Sequence, residues 1–247
     1  EVLYHEPCFV AYAPLIRTTH AVPVPVATRR GDQFRVRVED LERAVTPRTR
    51  ALFLSYPNNP TGATLRREDV EALAAFARRH NLLVYSDEVY SELTYEGERV
   101  SIASLPGMKE RTIFLNGFSK AWSMTGFRLG FVCAPPDLTD AMMKIHQYGM
   151  MCASSISQAA GLEALRAGDG DVRAMRDSYA LRRNYIVASL NEMGLDCFTP
   201  SGAFYVFPCI RSTGLSSEAF ALRLLNEDNV ACVPGTAFGA CGEGFVR

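Results

Sequence analysis

The chain has 247 residues, 48% of them hydrophobic and 21% charged, with a formal net charge of -1. That balance describes a globular protein of one large domain or two modest ones, and argues against a strongly basic nucleic-acid surface or a disordered charged tail. No apolar run is long enough to cross a bilayer, and the opening residues EVLYHEPCF lack the layout of a signal peptide. The seven cysteines are odd in number, widely spaced and without a C-x-x-C pair, so buried thiols in a reducing cytoplasm are expected rather than disulfides or zinc. The four histidines are scattered, and no metal site is expected.

In chain order, residues 2–4 read as the tail of a strand, followed by a turn at Glu6-Pro7 and a short helix over 9–16. Residues 22–26 read as a strand, but Pro23 and Pro25 make it a poor central one. A helix is predicted over 38–44 and a buried strand over 51–54, ending in the turn SYPNNPTG. The helix over 66–80 sets Val70, Leu73, Ala74 and Ala77 on one face, with acids in its first turns and Arg78, Arg79 and His80 in its last. The next buried strand, 82–85, closes at Ser86-Asp87-Glu88. Strand, helix and strand in that order imply a right-handed crossover and a parallel sheet. Residues 113–115 and 129–133 add two strands.

Helices follow toward Met150 and over 155–165. After GDGD comes a long helix striped by Val172, Met175, Tyr179, Ile186, Leu190 and Met193, with Gly194 as its stop. A smaller α+β lobe is then expected: a strand at 203–207, a helix at 217–225 and a strand at 230–233. The predicted class is α/β, a mostly parallel sheet flanked by helices, divided as 1–170 and 171–247. The Gly-rich PGTAFGACGEGFVR is followed by no helix and is not a dinucleotide loop. The cysteines are assigned to the core, and Arg29-Arg30 and Arg182-Arg183 to solvated surface.

One stretch, TIFLNGFSKAWSMTGFRLG, asks for a chemical explanation. Only three of the 26 Lys and Arg residues are lysine, and Lys120 follows a buried strand directly. An amine can lose its proton near other cations and condense with a carbonyl, which Arg cannot do. Ser119 and Arg128 can hold an anion beside it. The alternative is a strand-end lysine and a solvated arginine. Ligands of open α/β sheets bind beyond the carboxyl ends of the strands. Three such ends carry polar groups: Asn58-Asn59, then Asp87 with Tyr90, then Lys120.

SYPNNPTG, SDEVY, GFSK and GFRLG, with GAFYVFP, resemble in order and spacing the class I/II aminotransferases of the fold-type-I pyridoxal-phosphate (PLP) enzymes, across essentially the whole chain. The resemblance implies pyridoxal 5'-phosphate as cofactor and transamination between an L-amino acid and a 2-oxo acid through a Lys120 Schiff base. Lys120 would also carry the substrate proton. It implies that Asp87 keeps the pyridine nitrogen protonated, that Tyr90 and Asn59 hydrogen-bond the phenolic oxygen, that Ser119 and Arg128 bind the phosphate, and that Phe9 stacks on the ring. Arg247 matches the arginine that forks onto the substrate carboxylate, and Asn59-Pro60 is expected to be cis. A cytoplasmic homodimer is implied, with no nucleic acid or membrane as partner.

Gly117 departs from relatives with a phosphate-binding Ser there. The family's Gly-rich phosphate loop and a tyrosine lent by a neighbouring subunit are not matched, so these 247 residues are expected to be an internal piece that by itself holds PLP weakly or not at all. Two rivals keep the likeness and change the outcome: a PLP-dependent β-lyase or eliminase, and an aminotransferase-like ligand-sensing domain of a transcription regulator. A third treats Gly117-Phe118-Ser119-Lys120-Ala121 as the nucleophile elbow of a hydrolase, but only His146 follows it, too soon for the usual layout.

Overall fold

Short apolar runs bounded by turns become the strands of a six-stranded sheet in this computed structural model, which describes all 247 residues. The strands are β1 (Val2–Glu6), β2 (Pro23–Ala27), β3 (Ala51–Ser55), β4 (Leu83–Asp87), β5 (Thr112–Gly117) and β6 (Gly130–Cys133), in the spatial order β2-β1-β3-β4-β5-β6. All neighbours pair in parallel except β6, which runs antiparallel to β5. The proline-bearing β2 lies at an edge, where its missing N–H groups cost no ladder bond.

Side chains alternate across the sheet. Leu52, Leu54 and Val84 meet a core built from Val70, Leu73, Ala74 and Ala77 of α3 (Arg67–Arg79), after α1 (Tyr12–Thr18) and α2 (Val38–Ala44) in the chain. Full burial of each large aliphatic side chain here contributes about 2 kcal/mol. Phe53 and Tyr85 point to the opposite face, stacked at 5.7 Å, and Tyr12 of α1 packs on Phe53. Ser55 and Asp87 follow them on that face, two residues further along each strand. Beyond β5 come α4 (Phe118–Ala121), then β6, α5 (Pro136–Gly149), α6 (Ser155–Ala167), α7 (Asp169–Glu192) and α8 (Ser217–Asp228). No helix is long and apolar enough to cross a membrane.

Several expectations need correction. The helix expected over 9–16 begins only at Tyr12, leaving Phe9 in the preceding turn. Residues 203–207 and 230–233 are not strands: the backbone there finds only isolated bridges nearby, Thr94 to Gly202, Cys209 to Phe245 and Pro234 to Val246. Apolar runs supply strand propensity, but a strand exists only where a ladder partner runs alongside. Of GDGD, Asp169, Gly170 and Asp171 already belong to the first turn of α7, and that helix buries Val172, Arg183 and Val187 while Ile186 and Met193 of the expected stripe are exposed. Arg183 is not solvated surface. Its guanidinium donates to the Pro200 carbonyl and to Glu96 and lies over the Tyr95 ring. Among the cysteines, Cys8 and Cys197 are buried, but Cys133 and Cys152 are exposed.

Residues 195–247 pack against the sheet body through Phe34, whose ring touches Phe198, Phe207 and Phe245. A second tie runs through Gly62, whose carbonyl accepts from the Gly202 N–H. Gly62 has φ +71°, and a Cβ there would sit 2.5 Å from Pro200 Cβ and 2.8 Å from the Gly202 carbonyl oxygen. Gly62→Ala is therefore expected to cost at least about 2 kcal/mol in denaturant unfolding, because backbone strain and overlap add. A loss under about 0.5 kcal/mol, the range of a neutral surface change, would show that the crossing at 62 and 202 is loose.

Candidate active site

The parallel register sets Ser55 beside Asp87 and Asp87 beside Leu115, so the carboxyl ends of β3, β4 and β5 open on one cleft. Asp87, the last residue of β4, is half-buried. Tyr12 donates its hydroxyl to Asp87 Oδ2 at 2.6 Å, and the Val89 N–H donates to Oδ1 at 3.1 Å. Ser55 Oγ lies 2.9 Å from the same Tyr12 hydroxyl. A phenol has one hydrogen, so Tyr12 gives it to the carboxylate and the serine hydroxyl turns to the tyrosine oxygen. Burial raises the Asp87 carboxyl above its ordinary range, and these two hydrogen bonds only partly offset that. No cation pairs with it.

His5 holds the turn after β3. It is fully buried, stacks on Tyr56 at 4.6 Å and accepts the Ser55 N–H at Nε2 over 3.1 Å. That bond leaves the imidazole proton on Nδ1, toward the Pro7 carbonyl. The same carbonyl accepts from Asn58 Nδ2 at 3.1 Å, while Asn58 Oδ1 takes the Thr61 N–H. Asn59-Pro60 is cis, as are Glu6-Pro7 and Tyr56-Pro57.

Lys120 stands in the one turn of α4 that follows β5, half-buried and with no carboxylate partner. Its Nζ lies 5.9 Å from the Tyr90 ring centre and 5.7 Å from that of Phe204. Tyr90 is buried, and its hydroxyl is 2.5 Å from the Tyr205 hydroxyl. Arg247 lies over the Tyr205 ring at 4.8 Å and donates Nη1 to Asn59 Oδ1 at 2.9 Å. Phe9 meets Tyr12 edge-on at 5.7 Å.

Direct contacts thus join Lys120 to Tyr90 and Asn59 to Arg247, with Tyr205 linking the two pairs, while Asp87 is reached through the chain to Tyr90 and through Tyr12. Ser119 precedes Lys120 and its hydroxyl has no protein partner. Arg128 is not joined to this cluster by a hydrogen bond: it is exposed, in the left-handed region, with Nη1 on the Thr125 carbonyl. Sequence reasoning missed Tyr12, His5 and Tyr205. An aromatic three residues after Phe9 carries no polar pattern, and the His signal was diluted by the expectation of metal-ligand spacing. GAFYVFP entered only as part of a family likeness.

The donor set suits PLP on observations independent of that likeness. A buried carboxylate without a cation is matched by a protonated ring nitrogen, a neighbouring amine lacks a counter-ion, and a hydroxyl beside it is unpaired.

The family model for aminotransferase class I and II matches residues 1–247. The putative aminotransferase YugH of Bacillus subtilis is 52% identical over 247 residues, covering 100% of this chain and 64% of that protein. Aromatic-amino-acid aminotransferase 2 of Thermococcus litoralis is 48% identical over 250 residues, again 100% of this chain and 64% of that one. The crystal structure of an aromatic aminotransferase from Pyrococcus horikoshii superimposes with a TM-score of 0.98 at 47% identity, over 100% of this chain and 67% of that chain. The mostly parallel sheet flanked by helices is the fold-type-I α/β architecture. The chain belongs to the class I and II aminotransferases, and it spans about 64% of the length of the curated relatives it matches most strongly.

One titration follows from the buried imidazole. Burial lowers the His5 pKa from 6.5 to about 4, so its contribution is complete above 6.5 and is lost as pH falls toward 4. That window corresponds to roughly 3 kcal/mol. The raised acids Asp87 and Glu88 act with the opposite sign, so the comparison must be between proteins. The stability advantage of wild type over His5→Gln should shrink by roughly 3 kcal/mol between pH 7 and pH 4 in denaturant titrations. A constant difference would mean that His5 is not held neutral.

Proposed function

We propose that the protein carrying this chain is a PLP-dependent aminotransferase that moves an amino group between an L-amino acid and a 2-oxo acid, with Lys120 as the Schiff-base lysine. The observation that carries the reading is the pairing of an amine without a counter-ion and a carboxylate without a cation at adjoining strand ends. Bound there, PLP supplies an electron-withdrawing ring for the electron pair left when the substrate Cα–H bond breaks.

The remaining roles belong to side chains. Asp87, steadied by Tyr12, holds a proton on the ring nitrogen. Lys120 Nζ would take the proton from the substrate Cα and deliver it to the cofactor's C4′, a short transfer that its flexible stem allows. Tyr90 and Asn59 donate to the phenolic oxygen. Ser119 and Arg128 bind the phosphate, Arg128 after leaving its Thr125 carbonyl. Phe9 covers one ring face. Arg247 binds the substrate carboxylate through a planar fork. Residues 1–170 belong to the cofactor-binding part and 171–247 to the smaller one, in a cytoplasmic homodimer. Relatives are named for aspartate, aromatic and other amino acids, and the substrate is kept here as an L-amino acid.

The test is a panel of amino donors with 2-oxoglutarate on the full-length protein, alongside Lys120→Ala and Asp87→Asn. Wild type should show a visible Schiff-base band and turnover. Lys120→Ala should lose both, and Asp87→Asn should keep the cofactor but lose at least about 100-fold in kcat, the scale of one electrostatic stabiliser. A single turnover that releases ammonia and leaves the cofactor an aldehyde would establish the lyase instead. Cofactor binding without turnover of any donor would favour a sensing domain.

A further inference from the structure

The segment around Tyr205 is held from several sides. The Gly202 N–H donates to Gly62, the Ala203 N–H to Leu93 at 3.0 Å, and the Tyr95 hydroxyl to the Ala203 carbonyl. Ala203 itself adopts a left-handed conformation, φ +56°. Tyr205 is therefore carried on anchored backbone, and its side chain meets two groups of the cleft. Its hydroxyl is 2.5 Å from that of Tyr90, with the rings at 77°. Its ring lies 4.8 Å from the Arg247 guanidinium carbon, which is also 5.0 Å from the centre of the Phe238 ring.

Two phenols at that distance share one hydrogen, and its direction matters. Both hydroxyls are protonated phenols, and by geometry either could be the donor. Were Tyr90 to donate to Tyr205, it would have no hydrogen left for the cleft. With Tyr205 as donor, the Tyr90 hydrogen is free to point inward. The Arg247 guanidinium lies closer to the Tyr205 ring, at 4.8 Å, than the Lys120 amine does to the Tyr90 ring, at 5.9 Å, and so draws more electron density from the Tyr205 phenol, which favours that direction. A donated bond also polarises the acceptor hydroxyl and strengthens the bond it makes in turn. The ring performs a separate task. Arg247 is held between Tyr205 and Phe238 with Nη1 on Asn59, and its other N–H groups have no protein partner, which leaves donors for a carboxylate.

We propose that Tyr205 is a positioning residue with two separable actions: its hydroxyl donates to Tyr90 and aims the Tyr90 hydrogen into the cleft, and its ring seats Arg247 for the substrate carboxylate. The inference rests on reading the cleft as a PLP site, and it adds a group that couples the cofactor side of that site to the substrate side.

The experiment compares Tyr205→Phe and Tyr205→Leu with wild type as PLP-loaded holoenzymes. The readouts are the pH titration of the Lys120-dependent absorption band and the KM of the best amino donor. A Tyr90 bond to the phenolic oxygen stabilises the deprotonated linkage. Its weakening in Tyr205→Phe should move the band titration upward by about half to one pH unit, the equivalent of one ordinary hydrogen bond. KM should change less than about twofold, since the ring remains. Tyr205→Leu should show the same titration shift and, in addition, a KM raised about fivefold, as expected for a lost cation–aromatic contact. A Tyr205→Phe titration that superimposes on wild type overturns the hydroxyl action. A Tyr205→Leu KM equal to that of Tyr205→Phe overturns the ring action. A wild-type protein whose band survives Lys120→Ala, or that has no band, refutes the underlying site assignment, a failure distinct from either of these.

Discussion

The parallel ladder through β3, β4 and β5 is the constraint on which the cleft depends. Its register places Ser55, Asp87 and Leu115 side by side. Residues far apart in sequence therefore finish their strands at one level, and the turns leaving those strands deliver Asn58 and Asn59, Tyr90, and Lys120 to one region. Shifting β4 by one residue would turn Asp87 to the face where Leu52, Leu54 and Val84 pack and away from the Tyr12 hydroxyl that serves it.

Placing polar groups at buried strand ends is costly unless each finds a partner, and the partners differ by face. Asp87 is served by Tyr12 and by a backbone N–H, and stays open to the cleft. Glu88, pointing the other way, is closed in by the hydroxyls of Ser86 and Ser101 at 2.9 and 2.7 Å. Burial raises both carboxyls, and the first is the one on the face of Tyr12 and Ser55. Adjacent acids in SDEVY thus have separate fates because successive residues of a strand face opposite sides. His5 is kept neutral in the same region by burial and accepts the Ser55 N–H, so the turn beginning SYPNNP is fixed by a side chain from the neighbouring strand.

The far end of the chain closes the cleft. Phe198, Phe207 and Phe245 gather on Phe34, and this aromatic contact brings Arg247 to Asn59 across 188 positions of sequence. Burial of such rings supplies far more free energy than the one Arg247–Asn59 hydrogen bond. Packing therefore positions the arginine, and the hydrogen bond selects its orientation.

Local signals determined much on their own. Apolar runs located β3, β4 and β5, the apolar face and end charges located α3, and the spacing of Asn59, Asp87, Tyr90 and Lys120 put polar groups on successive strand ends of one sheet, because strand polarity and crossover handedness leave few other arrangements. What tertiary structure alone decided were matters of partnership. The segments 203–207 and 230–233 have strand-like composition but no ladder neighbour, and remain irregular. Arg183 looks like a solvated helix residue until Pro200, Glu96 and Tyr95 surround it. Tyr12, His5 and Tyr205 carry no periodic or motif signal of their own, since what each does is defined by atoms 50 to 115 residues away that donate to it or accept from it. Sequence patterns report what a residue can bury or ionise, whereas only the folded chain settles which donor meets which acceptor.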